Sequence, residues 1–321
     1  MNEHEKIAAV VFHQYGLDFK DAERAGGFTN AVWLNGDFAL RLSLRKDGDI
    51  IRREVMRSKA LPLSVGYPRS IAIGVTDGYE WSLSERVQGK ILSEVWNTLN
   101  WTEKTATIKQ IADIMNVVHS VEVSSVEHLT LKKAWYNSFD KNESIADIER
   151  YEEKKIFTQE QCFVLREILE KFYKWNACAT PVLCHGDITM DNLLWREGSI
   201  ISLLDFEHSV IAPRQLDVHS LVNMALIPYD ETALMDIILI TEKGHEVQQY
   251  AANMISLLSP YLSNQGEKDL FVGYNVLFRQ RFLEFWLENP KGKIEQCDAY
   301  QKLLSLSDGR YGYLSRLING R

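Results

Sequence analysis

The residues of this chain best suited to chemistry are His185, Asp187, Asn192 and Asp205, which fall in the stretch PVLCHGDITMDNLLWREGSIISLLDF, residues 181–206. Val182 and Leu183 read as one strand and Ile200 to Leu204 as a second, so two carboxylates and a carboxamide sit on a hairpin flanked by apolar runs. Oxygen donors of this kind suit a hard cation such as Mg²⁺, which keeps several waters and is held through one or two carboxylates plus the phosphates of a substrate. Asp and Asn also favour turns for local hydrogen-bonding reasons, so a polar turn with no chemistry is the alternative.

The order of these residues favours chemistry. His185-Gly186-Asp187, then Asn192 five positions after the aspartate, then Asp205-Phe206 and a further Asp217, reproduces the catalytic-loop and metal-loop order of kinases. On these motifs the chain resembles the aminoglycoside phosphotransferase and choline kinase family, small-molecule phosphotransferases with a protein-kinase-like fold. Gly186 stands where protein kinases carry an arginine and Glu207 where they carry the glycine after Asp-Phe, and both are marks of that family. The resemblance implies an α+β, bilobal fold with a small antiparallel-sheet N-lobe and a larger, mainly helical C-lobe. It implies Mg²⁺ and ATP or GTP as cofactors, and transfer of the γ-phosphate to a hydroxyl of a small molecule. Such transfer asks the protein mainly to position groups and neutralise charge. By the resemblance, Asp187 orients the acceptor hydroxyl and takes its proton, Asn192 and Asp205 hold Mg²⁺, His185 braces the loop and Asp217 anchors its backbone. A helix-start aspartate favoured by the dipole is the plainer account of Asp217, and the two are compatible.

Upstream elements must deliver the nucleotide. Residues 3 to 15 carry Ile7, Val10, Val11 and Phe12 in the pattern of a short amphipathic helix. Ala25-Gly26-Gly27-Phe28-Thr29-Asn30 precedes a hairpin of Ala31 to Leu34 and Phe38 to Leu42 about an Asn35-Gly36 turn. A glycine-rich turn lets backbone N–H groups approach phosphates, although alone it is equally an ordinary tight turn. Its place resembles the family's nucleotide loop, which makes Gly27, Thr29 and Asn30 nucleotide contacts. Arg41 occupies the strand position of the kinase lysine; its planar fork is always charged and can grip phosphate bidentately. Its expected partner is Glu54, in a helix over roughly 49–61. Strands Ile71 to Val75 and Tyr79 to Leu83 lead into a stretch ending at Gly89 that resembles the interlobe hinge, with Glu85 and Val87 as backbone contacts to the base. The implied organisation is an N-terminal nucleotide-binding lobe, 1–88, and a C-terminal catalytic and substrate lobe, 89–321.

Beyond Gly89 the apolar period is helical. Thr102 to Val118 forms a helix closed by a core His119, and residues 139–171 read as charged surface helices with apolar positions including Ile148, Phe163, Leu165 and Leu169. Tyr274 to Leu287 carries Tyr274, Phe278, Phe282, Phe285 and Trp286 at the spacing of a packed helix face. Asp191, Glu207, Glu284 and Glu288 are the candidates for contact with a cationic acceptor; the last two are one turn apart and equally suited to solvent or to pairing with Arg281. His208 and His219 lack partners at metal-ligand spacing and read as ordinary polar residues.

Composition bounds the rest. A chain of 321 residues with 45% hydrophobic content exceeds one usual core, so two lobes are expected. A formal charge of −8 argues against general nucleic-acid binding and is compatible with a cationic substrate such as an aminoglycoside or a choline-like compound. Four cysteines lie without CxxC spacing or a nearby His/Cys cluster, and read as reduced thiols of a cytoplasmic protein. The N-terminal stretch fits neither signal peptide nor anchor, and no apolar run reaches about 18 residues, so no membrane association is expected. Nothing in the sequence calls for an obligate protein partner. Two other functions stay open: a catalytically idle kinase-like nucleotide-binding or scaffold protein, and a protein kinase of the same lineage. Retention of Asp187, Asn192 and Asp205 opposes the first, and the short run from Asp205 to Asp217 leaves no room for a long activation loop.

Overall fold

The computed structural model describes residues 1–26, 30–129, 139–226, 245–309 and 314–319; Gly27 and Thr29 of the expected nucleotide loop lie outside the described residues. Helix α1 (Glu3–Gln14) starts on a reciprocal cap in which the Asn2 side chain accepts from the Glu5 N–H and the Glu5 carboxylate from the Asn2 N–H. Its apolar face, Ile7, Ala8, Val11 and Phe12, packs on a sheet of β1 (Glu23–Ala25), β2 (Asn30–Asn35), β3 (Phe38–Lys46), β4 (Ser70–Thr76) and β5 (Tyr79–Glu85). The strands pair antiparallel in the order β1-β2-β3-β5-β4. Trp33, Leu40, Leu42, Trp81 and Leu83 complete this small core. With Leu40 and Leu42 turned into it, the period of two sends Arg41 of the central strand to the opposite face, where helix α2 (Ile50–Ser58) lies. The β2–β3 turn is one residue later than the Asn35-Gly36 expectation: Asn35 pairs with Phe38, leaving Gly36 and Asp37 as the turn, with Gly36 at φ 55°. Asn35 stays in the strand because its side-chain amide donates to the Asp18 carbonyl, 2.9 Å away.

The larger part comprises β6 (Lys90–Ile91), α3 (Leu92–Trp96), α4 (Trp101–His119), α5 (Lys141–Glu153), α6 (Gln159–Asn176), β7 (Val182–Cys184), β8 (Leu193–Arg196), β9 (Ser199–Leu203), β10 (Val210–Ala212), α7 (Gln215–Leu226), α8 (His245–Leu258), α9 (Gln265–Glu288), α10 (Asp298–Ser307) and α11 (Ser315–Asn319). The expected hairpin is re-paired. β9 runs back against β8 through Glu197 and Gly198, both with positive φ, while β7 pairs with β10 instead. Two residues in that conformation match the twist of a tight hairpin, and this turn was the missed signal. Helix α6 is not a surface helix: Cys162, Leu165, Ile168, Leu169 and Phe172 are buried against α9, and Gly273 lets α9 approach so closely that an added Cβ would lie 2.4 Å from Phe172. Phe163, Phe282 and Phe285 leave the core, at 57%, 45% and 65% exposure, because each lies off the face its helix buries. Among the described residues no helix is long and apolar enough to cross a membrane.

The two cores meet along a narrow seam. Val65, after α2, is fully buried in the larger core, and Gly66 follows at φ 70°. A Cβ on Gly66 would stand 2.0 Å from the Ile201 carbonyl oxygen, so this turn lies directly on β9, the strand that delivers Asp205.

Candidate active site

From β7 the chain turns through His185, Gly186 and Asp187. Gly186 has φ 82°, and a Cβ there would lie 2.4 Å from the His208 carbonyl oxygen, so neither arginine nor any other L side chain fits. His185 is fully buried; its Nδ1 accepts the Asp187 N–H at 3.2 Å and its Nε2 donates to the Leu204 carbonyl at 2.7 Å. Burial holds its pKa below the usual imidazole value, so it is a neutral brace. Asp217, on the first turn of α7, accepts the N–H groups of His185 at 2.8 Å and Gly186 at 2.9 Å, and meets His119 Nε2 at 2.9 Å. Burial pushes this carboxyl up, but His119 and the backbone donors outweigh it and Asp217 sits below the ordinary range. His119 is therefore a hydrogen-bond partner of the loop anchor as well as a core residue.

Against the sequence expectation, the fold does place a cysteine beside a histidine: Cys184 Sγ, His119 and Asp217 have ligand atoms within 4.8 Å of one another. Three donors already occupy Asp217, while the Cys184 thiol donates to the carbonyls of Ala212 and Pro213 at 3.5 and 3.6 Å and is held protonated by burial. This grouping is a closed hydrogen-bonded brace. Among the described residues all four cysteines are free thiols.

The turn Met190–Asn192 brings the Asn192 amide back to Asp187, donating to its carbonyl at 2.9 Å and to its Oδ2 at 3.1 Å. The Asn192 carbonyl accepts from Leu204 N–H at 2.7 Å, which fixes the chain just ahead of Asp205. Asp205 itself is left-handed, φ 62°, an uncommon conformation for a residue with a side chain. Its Oδ1 lies 3.3 Å from Arg41 Nη2, and Arg41 Nη1 donates to Glu54 at 2.7 Å. Glu54 is fully buried, and the same Oε1 also accepts from Tyr67 Oη at 2.7 Å and from the Phe206 N–H at 2.9 Å. Burial pushes Asp205 up to about 7, with Arg41 opposing and Glu54 and Glu207 adding to the rise. Burial also opposes the Arg41 charge, yet Glu54 and Asp205 hold it firmly cationic.

Glu207 does not face outward to an acceptor. It is buried between the lobes, accepting from Asn30 Nδ2 at 3.0 Å, 3.9 Å from Arg41 and 3.3 Å from His208 Nε2. Against its burial, His208 is held above the usual pKa by Glu207, Asp187 and Asp205, so it belongs to the site and is not an ordinary polar residue. His219 is likewise no surface residue: it is buried, stacked on Phe278 at 4.5 Å and bonded to Asn223. Glu284 pairs with Arg150 of α5 at 2.7 Å, not with Arg281, and Glu288 is exposed at the end of α9. Asp191 is exposed and accepts from the Ser93 hydroxyl. At the hinge, the Glu85 N–H is taken by the Arg69 carbonyl at 3.0 Å and the Arg86 N–H by Asp37 at 2.7 Å, whereas the Val87 N–H has no partner among the described residues. Arg57, which the sequence reading passed over, is 1% exposed and joins α2 to the Ser209 carbonyl at 2.7 Å.

The donor set fits a hard cation. Asp205 and Glu207 supply carboxylate oxygens, the Asn192 carboxamide oxygen has no protein donor among the described residues, and Asp205 carries more negative neighbours than its one guanidinium compensates.

A model described as the phosphotransferase enzyme family matches residues 22–246. An aminoglycoside 3'-phosphotransferase of Escherichia coli is 25% identical over 179 residues, which is 54% of this chain and 64% of that protein's length. Among solved structures, the GDP complex of aminoglycoside 2'-phosphotransferase-IIIa superposes with a TM-score of 0.62 at 17% identity, covering 97% of this chain and 99% of that one. The streptomycin–ATP complex of APH(2")-IIa gives 0.61 at 14% identity, with 97% and 99% covered. A thermostable APH(4)-Ia mutant with AMP-PNP and hygromycin B gives 0.58 at 16%, with 97% and 98% covered. These likenesses show the bilobal kinase-like fold, and the family match, spanning more than two thirds of the 321 residues, shows that the chain belongs to the phosphotransferase enzyme family.

Proposed function

We propose that this protein transfers the γ-phosphate of Mg²⁺-bound ATP or GTP to a hydroxyl of an aminoglycoside-like, polycationic small molecule. The observation that carries the reading is the convergence of Asp187, Asn192 and Asp205 with the Arg41–Glu54 pair on one interlobe seam. In this reading Asn192 and Asp205, with Glu207 behind them, hold the cation, which when bound screens the phosphate oxygens. Arg41 spans the gap from Glu54 to Asp205 and presents a fixed guanidinium to the α and β phosphates. Asp187 is clamped by Asn192 through Oδ2 and by His185 through its N–H, so it meets the acceptor hydroxyl without rotating freely and takes its proton. Val87 offers its N–H to the base. The E. coli relative and the aminoglycoside complexes of the structural neighbours support a polycationic acceptor, as does the net charge of −8.

Incubation of the protein with ATP or GTP, Mg²⁺ and a panel of kanamycin, gentamicin, streptomycin and hygromycin B tests the reading. Phosphorylated product is expected with at least one acceptor, and chelation of Mg²⁺ with EDTA is expected to stop it. Nucleotide binding with no transfer across this panel and a panel of simple alcohols would instead identify an idle nucleotide-binding protein.

A further inference from the structure

Helix α2 carries two buried charged residues three positions apart, Glu54 and Arg57, which places them on one face. Both reach the same short segment. Glu54 accepts the Phe206 N–H at 2.9 Å, at the front of the turn; Arg57 Nη1 donates to the Ser209 carbonyl at 2.7 Å, at its back, with Nη2 3.5 Å from the Glu207 carbonyl. Between those grips the turn is closed on itself, since the Ser209 hydroxyl and N–H both donate to the Phe206 carbonyl, at 2.6 and 3.1 Å. Its other side rests on the catalytic loop: the Phe206 ring packs edge-on against His185 at 4.5 Å, and the His208 carbonyl fills the space a Gly186 side chain would need. The turn begins with the left-handed Asp205 and contains Glu207, the two carboxylates that face Arg41.

We propose that Arg57 is a positioning residue for the cation and phosphate end of this site, acting through the backbone of residues 205–209; the inference rests on the metal-site reading above. A guanidinium buried to 1% exposure costs desolvation energy, and an apolar side chain of similar volume would fill the same space at lower cost. Here its hydrogen bonds go to main-chain carbonyls of the turn and none to a carboxylate, with Glu54 compensating its charge from the same helix. A cation used this way fixes backbone geometry. It sets how deeply the turn lies between α2 and the catalytic loop, and hence the position of Asp205 and Glu207 relative to Arg41. Partners that orient metal ligands from behind are worth about 10- to 100-fold in metal affinity.

The test is a Mg²⁺ titration of mant-ATP and mant-GTP binding by fluorescence, with thermal melting in parallel, on wild type, Arg57→Met, Arg57→Lys and Asp205→Asn. Arg57→Met is expected to raise the Mg²⁺ concentration for half-maximal nucleotide binding by about 10-fold or more, while binding in EDTA changes by less than about twofold. Arg57→Lys, which keeps the charge and one donor to the Ser209 carbonyl, is expected to show a smaller shift in the same direction, and it carries the test if Arg57→Met does not fold. A wild-type Mg²⁺ dependence in folded Arg57→Met, or in Arg57→Lys where Arg57→Met does not fold, with only the melting temperature lowered, overturns the inference and leaves Arg57 a packing residue, provided Asp205→Asn moves the titration. If Asp205→Asn also leaves it unmoved, the metal-site reading is wrong and the Arg57 inference falls with it.

Discussion

Arg41 bridges two acids that a lysine could not serve in the same way. One guanidinium nitrogen is 2.7 Å from Glu54 and the other 3.3 Å from Asp205, so the planar fork ties α2, β3 and the end of β9 together through a single side chain. Arg41→Lys keeps the charge but holds one acid at a time, and is expected to raise the nucleotide KM by about 10-fold, with Arg41→Ala weaker still; steady-state kinetics at saturating acceptor give the comparison. Gly186 has an equally local explanation. The sequence reads it as the missing arginine of protein kinases, whereas the geometry gives a simpler cause, a carbonyl oxygen 2.4 Å from where Cβ would be. Gly186→Ala combines that clash with a left-handed backbone and is expected to destabilise by about 1–3 kcal/mol, read as a lowered midpoint in urea.

Among the elements, α7 anchors the catalytic loop through one residue. Asp217 receives two backbone N–H groups of that loop and His119 from the end of α4, so one carboxylate joins β7, α4 and α7. Asp217→Ala leaves two buried N–H groups without a partner and is expected to cost about 3 kcal/mol, with activity falling alongside. The pH dependence has a definite sign. Because the folded-state pKa lies below the unfolded value of about 3.9, the contribution is complete above that value and is lost as pH falls through the folded one. The stability gap between wild type and Asp217→Ala should therefore narrow in acid, as pH falls through the folded-state pKa. The helix role of Asp217 was legible because it follows Asp205 at a short, fixed distance in the chain. Its partner His119 was not, being 98 residues away with no local sign of the pairing. Arg57 was hidden for a related reason: it bonds main-chain carbonyls, and a carbonyl has no letter in the sequence. Glu207 was misassigned because its identity marks the turn correctly but not the direction it faces; its contacts with Asn30 on β2, 177 residues earlier, and with Arg41 on β3 show that it points between the lobes.

At the scale of the molecule, two hydrophobic cores share a thin polar seam. The small core is built by α1 and the five-stranded sheet, the large one by the helices, and the seam collects Glu54, Asp205, Glu207, Arg41 and Arg57 where apolar packing would otherwise continue. The bilobal arrangement was legible from a hairpin-rich start followed by helical periodicity. The central place of α6 was not, since its many charges concealed one continuous buried face. The proposed transfer requires that the seam bind nucleotide and that Asp187 alone receive the acceptor's proton. The most direct measurement compares wild type with Asp187→Asn for Mg²⁺–nucleotide affinity and for γ-phosphate transfer to an aminoglycoside. Affinity within about twofold of wild type and transfer slowed by about 10² or more are expected; an Asp187→Asn protein that transfers phosphate at the wild-type rate would show that another group takes the proton.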